Sequence, residues 1–499
     1  MTKLTPYALC FMTLFVLVGC GQKTIEELNV SIFQTSAAGD HLKQIELPTT
    51  EAAVSGEIVI YTDVTFQTVT GFGGAFTESS AALLNQISTD KRNQIMEAYF
   101  SADGAQYSLT RTHMNSCDFS VGHYSYAPVE GDTALESFSI AEDTADIIPM
   151  IKQAQALSSE GFKIVASPWT APIWMKDNKT WNGGKLEKKY YGTWAKFFSK
   201  YAKAYSDEGI NIWAFTVENE PLGNDANWES MHYTPQETAD FVKHHLGPQL
   251  QQDNIDAKIL VYDQNRGKEL DEWALALLTD SALAPYIYGT AVHWYTSTID
   301  WYPQSLTSTH NLAPTKHIIH TEGCIDAEVP HWKDDAWYWS KEATDWGWDW
   351  AKEEDKKDHP KYVPCYRYAR DIIGCMNNWV EGWIDWNMVL DKNGGPNLAN
   401  NWCIAPVIVD TDSNEVYITP LYYVLSHFSK FIRPDAIRTG IDTKHDALMA
   451  TAVKNKDGSN VVIVFNESDK PIHYKLTIDN KEKTILIDQQ AIQTIVVSQ

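Results

Sequence analysis

The spacing of apolar and polar positions changes twice along the chain and so divides it into a central region and two flanking regions. From about residue 68 to about residue 434, short β-rich apolar runs alternate with amphipathic helical stretches such as 191–208 and 234–253. Strand–helix alternation predicts parallel strands, and eight such units predict a closed (β/α)8 TIM barrel over residues 67–434. A doubly wound open sheet is the alternative. The predicted strands cover residues 70–76, 107–114, 163–169, 212–219, 258–263, 289–295, 317–322 and 382–389.

After residue 434, apolar positions no longer have the spacing that is typical of helices. The β-rich segments there are 446–453, 460–466, 472–478 and 483–497. Strand-like pieces also occur in residues 20–66, but they have no partners nearby in the chain. We therefore predict that residues 20–66 and 435–499 together form an additional, discontinuous antiparallel β-domain.

Residues 1–19 have the pattern of an export signal. Their apolar run, residues 7–18, is too short to span a membrane. It ends in Leu17-Val18-Gly19-Cys20, which resembles a bacterial lipoprotein box, so we predict that Cys20 is the lipid-bearing mature N-terminus. The following Gly21 resembles the pattern for outer-membrane export. We expect an exported lipoprotein that contacts the membrane only through its lipid; an ordinary cleaved signal is the alternative.

The composition of the chain excludes some classes of binding partner. The chain has 65 acidic and 40 basic residues and a formal net charge of −25. Nucleic acids and anionic membranes select basic surfaces, so neither is an expected partner. There are also 19 Trp and 24 Tyr residues, which combine an apolar face with a polar edge. Sugar rings present complementary C–H faces and hydroxyl rims, although a Trp-rich core would give the same composition.

Five cysteines follow Cys20, and none lies in a CxxC pair, so we predict no structural zinc. A Cys365–Cys375 bridge is compatible with the sequence, which does not establish it. His113, His123 and His293 lack the clustered spacing of a metal site. We predict no metal centre.

Polar residues cluster where predicted strands end, which is where barrel enzymes place their chemistry. Strand four ends in Glu218-Asn219-Glu220, and strand seven ends in Thr321-Glu322. A single strand-end Glu is usually a solvated charge, but two on opposed strands suit glycoside hydrolysis. In that reaction one carboxylic acid protonates the leaving oxygen, and one carboxylate attacks or activates water.

Many ordered motifs between about residues 70 and 435 resemble glycoside hydrolase family 30, which includes glucosylceramidases. Asn219-Glu220-Pro221 and the Glu that ends strand seven are similar to the catalytic positions of the wider clan. The matching segments include GFGGAFTESSA (71–81), NSCDFSVGHYSYA (115–127), VASPWTAPIWMK (165–176), WAFTVENEP (213–221), HTEGC (320–324) and GWIDWNMVL (382–390).

The resemblance implies a glucosylceramidase-like retaining β-glycosidase that cleaves β-glucosidic bonds by double displacement. It makes Glu220 the general acid/base, Glu322 the nucleophile and Arg111 a residue that supports the nucleophile. Glu78 stands where the glucocerebrosidase pattern has Asp, so its longer side chain is a departure. The implied substrate-binding residues are Glu78, Trp169, Asn219, His293, Tyr295, Trp386 and Asn401.

Several functions remain open at this point. The substrate could be a simple β-glucoside, glucosylceramide or a β-glucan, and the main alternative is a β-1,6-glucanase or an enzyme acting on xylosides or fucosides. A non-catalytic carbohydrate-binding lipoprotein is a third reading, against which the intact Glu pair argues. No cofactor is implied, because two carboxylates and water suffice. The glycines at 71–74 lack the complete GxGxxG spacing of a dinucleotide site.

Overall fold

Eight parallel strands close into a barrel, so the predicted fold class is confirmed and the open-sheet alternative is wrong. The computed structural model describes residues 1–2, 26–46, 53–223, 225, 227–326, 329–341, 352–354 and 356–498. Cys20 and most of the predicted signal sequence lie outside them. The barrel strands are β1 (Gly71–Phe76), β2 (Leu109–Met114), β3 (Lys163–Pro168), β4 (Ala214–Thr216), β5 (Lys258–Asn265), β6 (Gly289–His293), β7 (His317–Glu322) and β8 (Val380–Asn387).

The barrel interior is closely packed. Seven strands each contribute one fully buried apolar side chain to a shared layer: Leu109, Val165, Ala214, Leu260, Ala291, Ile319 and Ile384. Strand β1 contributes glycine instead, because a Cβ atom on Gly73 would lie 2.0 Å from the backbone oxygen of Leu109. The layer fills the barrel below its mouth, where the carboxyl ends of the strands lie.

Helices connect the barrel strands. The predicted helix over 234–253 is divided by a π-helical turn, Val242–Leu246. Pro248 follows this turn and has no N–H group to donate to the carbonyl of His244, which accounts for the break. The described α-helices are Glu78–Gln86, Thr89–Phe100, Ile147–Leu157, Tyr191–Asp207, Pro235–Phe241, Gly247–Gln252, Lys268–Leu278, Pro303–Leu312, Asp335–Tyr338, Pro364–Asn377 and Pro420–Ser429.

The second domain is a ten-stranded sheet built from both ends of the chain. Gly56–Thr68 pairs antiparallel with Ile437–Lys444 and parallel with Ile472–Ile478. The predicted β-rich segment 483–497 is two strands, since the chain turns at residues 488–490. The remaining strands are Glu26–Glu27, Val30–Ser36, Lys43–Ile45, Leu448–Lys454, Asn460–Asn466, Lys481–Ile487 and Ala491–Val497. The discontinuous β-domain is confirmed, with two parallel pairings in an otherwise antiparallel sheet.

Two small sheets lie beyond the barrel strands and were not predicted. Ile325–Asp326 pairs antiparallel with Cys403–Ile404. The other sheet joins three short strands, Val389–Asp391, Val407–Asp410 and Glu415–Ile418. Pairing of Ile325–Asp326 with Cys403–Ile404 brings the chain that follows β7 against the chain that follows β8.

The Cys365–Cys375 bridge does not form, since both residues are free thiols. They lie ten residues apart in the single helix Pro364–Asn377, which separates their Cα atoms by about 15 Å, far beyond the reach of a disulfide. Instead, Arg266 Nη1 contacts Cys375 Sγ at 2.6 Å. In the described part of the chain, no helix combines the length and apolar character needed to cross a membrane.

Candidate active site

Glu220 and Glu322 face each other across the mouth of the barrel. Glu322 is the last residue of β7, and Glu220 follows β4. Glu220 has a left-handed backbone conformation, with φ of 49°, and its N–H donates to the carbonyl of Asp263 on β5 at 2.9 Å. One carboxylate oxygen of Glu220 and one of Glu322 lie within 4.8 Å of each other.

Arg111 on β2 is fully buried beneath this pair and connects four strands. Its Nη1 group donates to Glu322 Oε2. Its Nη2 group donates to Asp263 Oδ2 at 2.7 Å and to Asn219 Oδ1 at 2.8 Å. Its Nε donates to Ser167 Oγ at 3.0 Å. The guanidinium therefore positions the Glu322 carboxylate and the Asn219 amide together.

His293 joins Glu220 to a buried acid that the sequence analysis missed. His293 Nδ1 lies 3.1 Å from Glu220 Oε1, and Nε2 lies 3.0 Å from Asp263 Oδ1. Burial opposes a charged imidazole, but the carboxylates of Glu322 and Asp263 outweigh it and raise the pKa of His293 to about 9. The pKa of Asp263 is lowered despite its burial, because Arg111 and His293 stabilise its anion. At neutral pH His293 is therefore a cation beside Glu220.

Tyr295 completes the surroundings of Glu322. Its hydroxyl donates to Glu322 Oε1 at 3.1 Å, while Arg111 binds the other oxygen. Burial is the largest influence on Glu322 and raises the pKa of its carboxyl, whereas the positive charges of His293 and Arg111 act in the opposite direction. Both carboxylate oxygens are thus held in place while the group faces the cavity.

A cavity of about 480 Å³ opens over the two glutamates. The rings of Trp169 and Trp386 stack on each other, with centroids 5.2 Å apart and planes inclined by 20°. Arg111 lies 4.8 Å from the centroid of the Trp169 ring. Of the residues predicted from the sequence, those that line the cavity are Trp169, Asn219, Glu220, Tyr295, Glu322, Trp386 and Asn401. A larger cavity of about 660 Å³, lined by Trp301 and Arg370, contains neither glutamate.

Three predicted residues do not line the cavity. Arg111 and His293 lie behind the glutamates and contact them. Glu78 begins the helix Glu78–Gln86 and accepts a hydrogen bond from the backbone N–H of Val121 at 3.2 Å. Its carboxylate therefore supports the loop after β2, rather than facing the cavity.

Asp118, on that same loop, lines the cavity in its place. Its Oδ1 atom is buried and has no partner among the described residues. Burial, followed by the charges of Glu322, Glu229 and Glu220, raises the pKa of the Asp118 carboxyl well above its ordinary value. Asp118 lies within the quoted segment NSCDFSVGHYSYA, which is the sequence signal that could have identified it.

Glu220, His293 and Glu322 present a possible metal-ligand geometry, since one donor atom of each lies within 4.8 Å of the others. The chemistry of the set fits a cation poorly. Both ring nitrogens of His293 face carboxylates, and a pKa of about 9 makes both of them hydrogen-bond donors at neutral pH. We assign no metal to this cluster.

Sequence comparisons agree with the geometry. Residues 69–432 match the Glycosyl hydrolase family 30 TIM-barrel domain, and residues 435–495 match the Glycosyl hydrolase family 30 beta sandwich domain. The chain is 35% identical over 427 residues to the lysosomal acid glucosylceramidase of Mus musculus, covering 84% of this chain and 78% of that protein. It is 29% identical over 432 residues to the endo-1,6-beta-D-glucanase of Neurospora crassa, covering 83% and 82%.

Solved structures show the same architecture. SrfJ from Salmonella typhimurium superposes with a TM-score of 0.82 at 28% identity, covering 94% of this chain and 99% of that one. The endo-beta1,6-glucanase BT3312 gives a TM-score of 0.80 at 25% identity, covering 94% and 100%. The family match extends over the barrel and the β-domain together. The chain therefore belongs to glycosyl hydrolase family 30 and is a glycoside hydrolase.

Proposed function

We propose that this enzyme is a retaining β-glucosidase in which Glu322 is the nucleophile and Glu220 the general acid/base. The observation that carries the proposal is the approach of the two carboxylates to within 4.8 Å on opposed strands. Retaining enzymes separate these groups by about 5–5.5 Å, whereas inverting enzymes leave room for a water molecule between them, at about 6.5–9.5 Å.

The surroundings of the two glutamates suit their separate roles. Glu322 attacks the anomeric carbon while Glu220 donates its proton to the leaving oxygen, which gives a glucosyl–Glu322 ester and the free alcohol. Glu220 then removes a proton from water, which attacks the ester and releases glucose and the Glu322 carboxylate. Arg111 and Tyr295 hold the attacking oxygens. The cationic His293 lies against Glu220, where it can stabilise the carboxylate between the two steps.

Hydrogen-bonding groups around the nucleophile suit a glucosyl ring. The Oδ1 atom of Asn219 accepts from Arg111, so its Nδ2 group is oriented to donate to the sugar 2-hydroxyl. Burial and the neighbouring anions raise the pKa of the Asp118 carboxyl and so favour its protonated form, which can both donate to and accept from hydroxyls. Trp169 and Trp386 stack on each other and add apolar indole surface to the cavity lining, which suits the C–H surface of the ring.

A second candidate function is cleavage of a β-1,6-glucan. The cavity lining also includes Gln264, Asn265, Asp326 and Trp228, which we assign to an outer subsite. Amide and carboxyl groups beside an indole ring are typical of a subsite for a second sugar. A ceramide leaving group would instead require a mainly apolar wall. The relative named as an endo-1,6-glucanase supports this candidate, and the one named as a glucosylceramidase supports the lipid substrate.

The proposal is tested by comparing hydrolysis of aryl β-glucosides by the wild type, Glu322→Gln and Glu220→Gln. Both substitutions should lower kcat by about 1,000-fold or more. With a dinitrophenyl leaving group, which needs no protonation, Glu220→Gln should still release the phenol rapidly in the first turnover. Glu269→Gln, on an exposed helix surface, is the matched control. Wild-type rates in Glu322→Gln would contradict the assignment.

The leaving group is identified by comparing kcat/KM on β-1,6-glucan and on glucosylceramide in mixed micelles. If a sugar occupies the outer subsite, Asp326→Ala and Trp228→Ala should lower kcat/KM on the glucan and leave the aryl glucoside unaffected. A higher kcat/KM on glucosylceramide, together with no effect of these substitutions on any substrate, would contradict the glucanase candidate. The lipid would then be the supported substrate.

We also propose that the enzyme is an outer-membrane lipoprotein modified at Cys20, on the basis of the Leu17-Val18-Gly19-Cys20 pattern. Expression in a Gram-negative host with a labelled fatty acid should label the wild type and place it in the membrane fraction. Cys20→Ala should be unlabelled and leave that fraction. Equal labelling of both proteins would contradict lipidation at Cys20.

A further inference from the structure

Two buried thiols lie against each other at the wall of the catalytic cavity. Cys324 follows the nucleophile by two residues, and Cys403 follows Asn401 by two residues. Their Sγ atoms are 3.0 Å apart, although 79 residues separate them in the chain. Their exposed fractions are 2% and 1%, and both are free thiols. The mechanism proposed above uses neither of them.

The backbone sets this proximity. Ile325 pairs with Ile404, and Asp326 pairs with Cys403, in a short antiparallel ladder. Side chains at alternate positions of a ladder point to the same face, so Cys324 and Cys403 are diagonal neighbours on one face. The S–S bond of a disulfide is about 2.05 Å long, so the two sulfur atoms need to approach by only about 1 Å.

We propose that Cys324 and Cys403 form a disulfide that ties the loop after the nucleophile to the segment that carries Asn401. The bond would cross-link the walls of the cavity where the chain after β7 meets the chain after β8. The oxidising envelope, where the predicted export signal directs the protein, preserves such bonds. The inference depends on the thiol geometry and not on which glycoside is cleaved.

The covalent chemistry is ordinary thiol–disulfide exchange with a small disulfide as the oxidant. Of the two cysteines, Cys403 is the one that lines the cavity, so we assign the first attack to its thiolate. It attacks one sulfur of the oxidant and releases one thiol, which leaves a mixed disulfide on Cys403. The Cys324 thiolate then attacks Cys403 Sγ and releases the second thiol. Two electrons reduce the oxidant, and the two cysteine protons leave with the released thiols.

Burial of the two thiols slows this reaction at neutral pH. Burial raises the pKa of both thiols, that of Cys403 to about 11. Few thiolates are therefore present at neutral pH, and oxidation of the folded enzyme should accelerate as the pH rises.

The bond should stabilise the fold more than it changes the chemistry. Tyr295 contacts both Glu322, at 3.1 Å, and Cys324, at 3.7 Å. Its hydrogen bond to Glu322 does not depend on the Cys324 thiol, so activity on an aryl glucoside should change less than twofold. Closing a loop of 79 residues should raise the Tm by about 5 °C.

The test uses the full chain incubated with 2-hydroxyethyl disulfide at pH 8.5, then alkylated in denaturant and digested without reduction. The expected product is a peptide pair linked through Cys324 and Cys403, two hydrogen masses lighter than the two free peptides. Reduction should reverse both the link and the rise in Tm. Cys403→Ser should yield neither. Cys365→Ser, which removes another buried thiol, should yield both.

Cys324→Ala provides a second variant if Cys403→Ser does not fold, and it should also lack the link. Complete alkylation of Cys324 and Cys403 in the oxidised wild type would overturn the proposal. So would a link from either residue to a different cysteine. None of these outcomes depends on glycosidase activity, so failure of the disulfide and failure of the proposed reaction are separately visible.

Discussion

Arg111 on β2 and Glu322 on β7 form a buried ion pair across the barrel. The Arg111 side chain is fully buried and that of Glu322 is only 8% exposed. Asp263 provides Arg111 with a second carboxylate, at 2.7 Å. One guanidinium thus balances two acids inside the barrel, and its charge favours the ionised form of the proposed nucleophile.

Replacing Arg111 should therefore affect both stability and pH dependence. Arg111→Gln removes from two buried carboxylates a cation that His293 alone does not replace, which should cost about 3–5 kcal/mol of unfolding free energy and lower kcat by about 100-fold or more. Loss of the charge raises the pKa of Glu322 further, so the acid limb of the kcat/KM profile should move to higher pH.

The matched variant, Arg111→Lys, keeps the charge but cannot make the four hydrogen bonds of the guanidinium. Its acid limb should stay closer to that of the wild type, although its kcat should also fall. Lys152→Gln, which removes an exposed ion pair to Glu208, is the surface control. An unchanged pH profile in Arg111→Gln would contradict this account of Glu322.

Asp118 should bind the sugar as a neutral carboxyl, because burial and neighbouring anions raise its pKa. Asp118→Asn keeps a neutral group that donates and accepts, so it should lower kcat/KM by less than tenfold. Asp118→Ala removes the group and should lower kcat/KM by about 10–100-fold. Michaelis–Menten kinetics on an aryl β-glucoside measure both. Equal losses in the two variants would indicate that the negative charge is required.

The strand-end glutamates could be predicted because barrel enzymes place their reactive side chains at the carboxyl ends of the strands. In the sequence, each such side chain directly follows an apolar β-rich run. The strand positions predicted that Glu220 and Glu322 lie at the barrel mouth, and the family resemblance implied their separate roles. Trp169 and Trp386 also belong to predicted barrel strands, but their expected contact with the sugar came from the family resemblance. The fold class was predictable for a similar reason, since alternation of strand and helix is visible in the pattern of apolar positions.

Residues whose roles depend on loop paths could not be placed in this way. Asp118 lies on the long loop after β2. Apolar positions in this loop have no regular spacing that would predict where its side chains point. Glu78 was expected to face the sugar, but it begins a helix and turns towards Val121. Asp263 was missed because the role of a buried acid depends on its partners. Those partners, Arg111 and His293, lie in other parts of the chain.

His293 should make stability depend on pH. Its pKa is raised from 6.5 to about 9, so its stabilising contribution is fully present below about pH 6.5 and is lost as the pH rises through about 9. The contribution is on the order of 3 kcal/mol. In urea denaturation, the difference between wild type and His293→Gln should be greatest at pH 6 and smallest at pH 10. Exposed His244→Gln should show no such trend. A difference that grows with pH would contradict the predicted sign.

Two glycines should respond in opposite directions to substitution by alanine. A Cβ atom on Gly73 would lie 2.0 Å from the Leu109 carbonyl oxygen, so Gly73→Ala should cost at least about 3 kcal/mol or prevent folding. Among the described residues, no atom beyond the chain neighbours and the local helix backbone lies within 4 Å of the corresponding position at Gly192, in the helix Tyr191–Asp207. Gly192→Ala should therefore add about 0.5–1 kcal/mol. Thermal denaturation compares them, and a fully stable Gly73→Ala would show that the barrel is less tightly packed.

Trapping of the covalent intermediate tests the central claim most directly. A 2-fluoro-β-glucoside with a dinitrophenyl leaving group forms the glucosyl ester but slows its hydrolysis, so mass spectrometry of the intact protein and its peptides can locate the adduct. The double-displacement account predicts one fluoroglucosyl group on the peptide containing Glu322, and no adduct with Glu322→Gln. An adduct on another residue, or rapid turnover to the inverted anomer without any adduct, would contradict it.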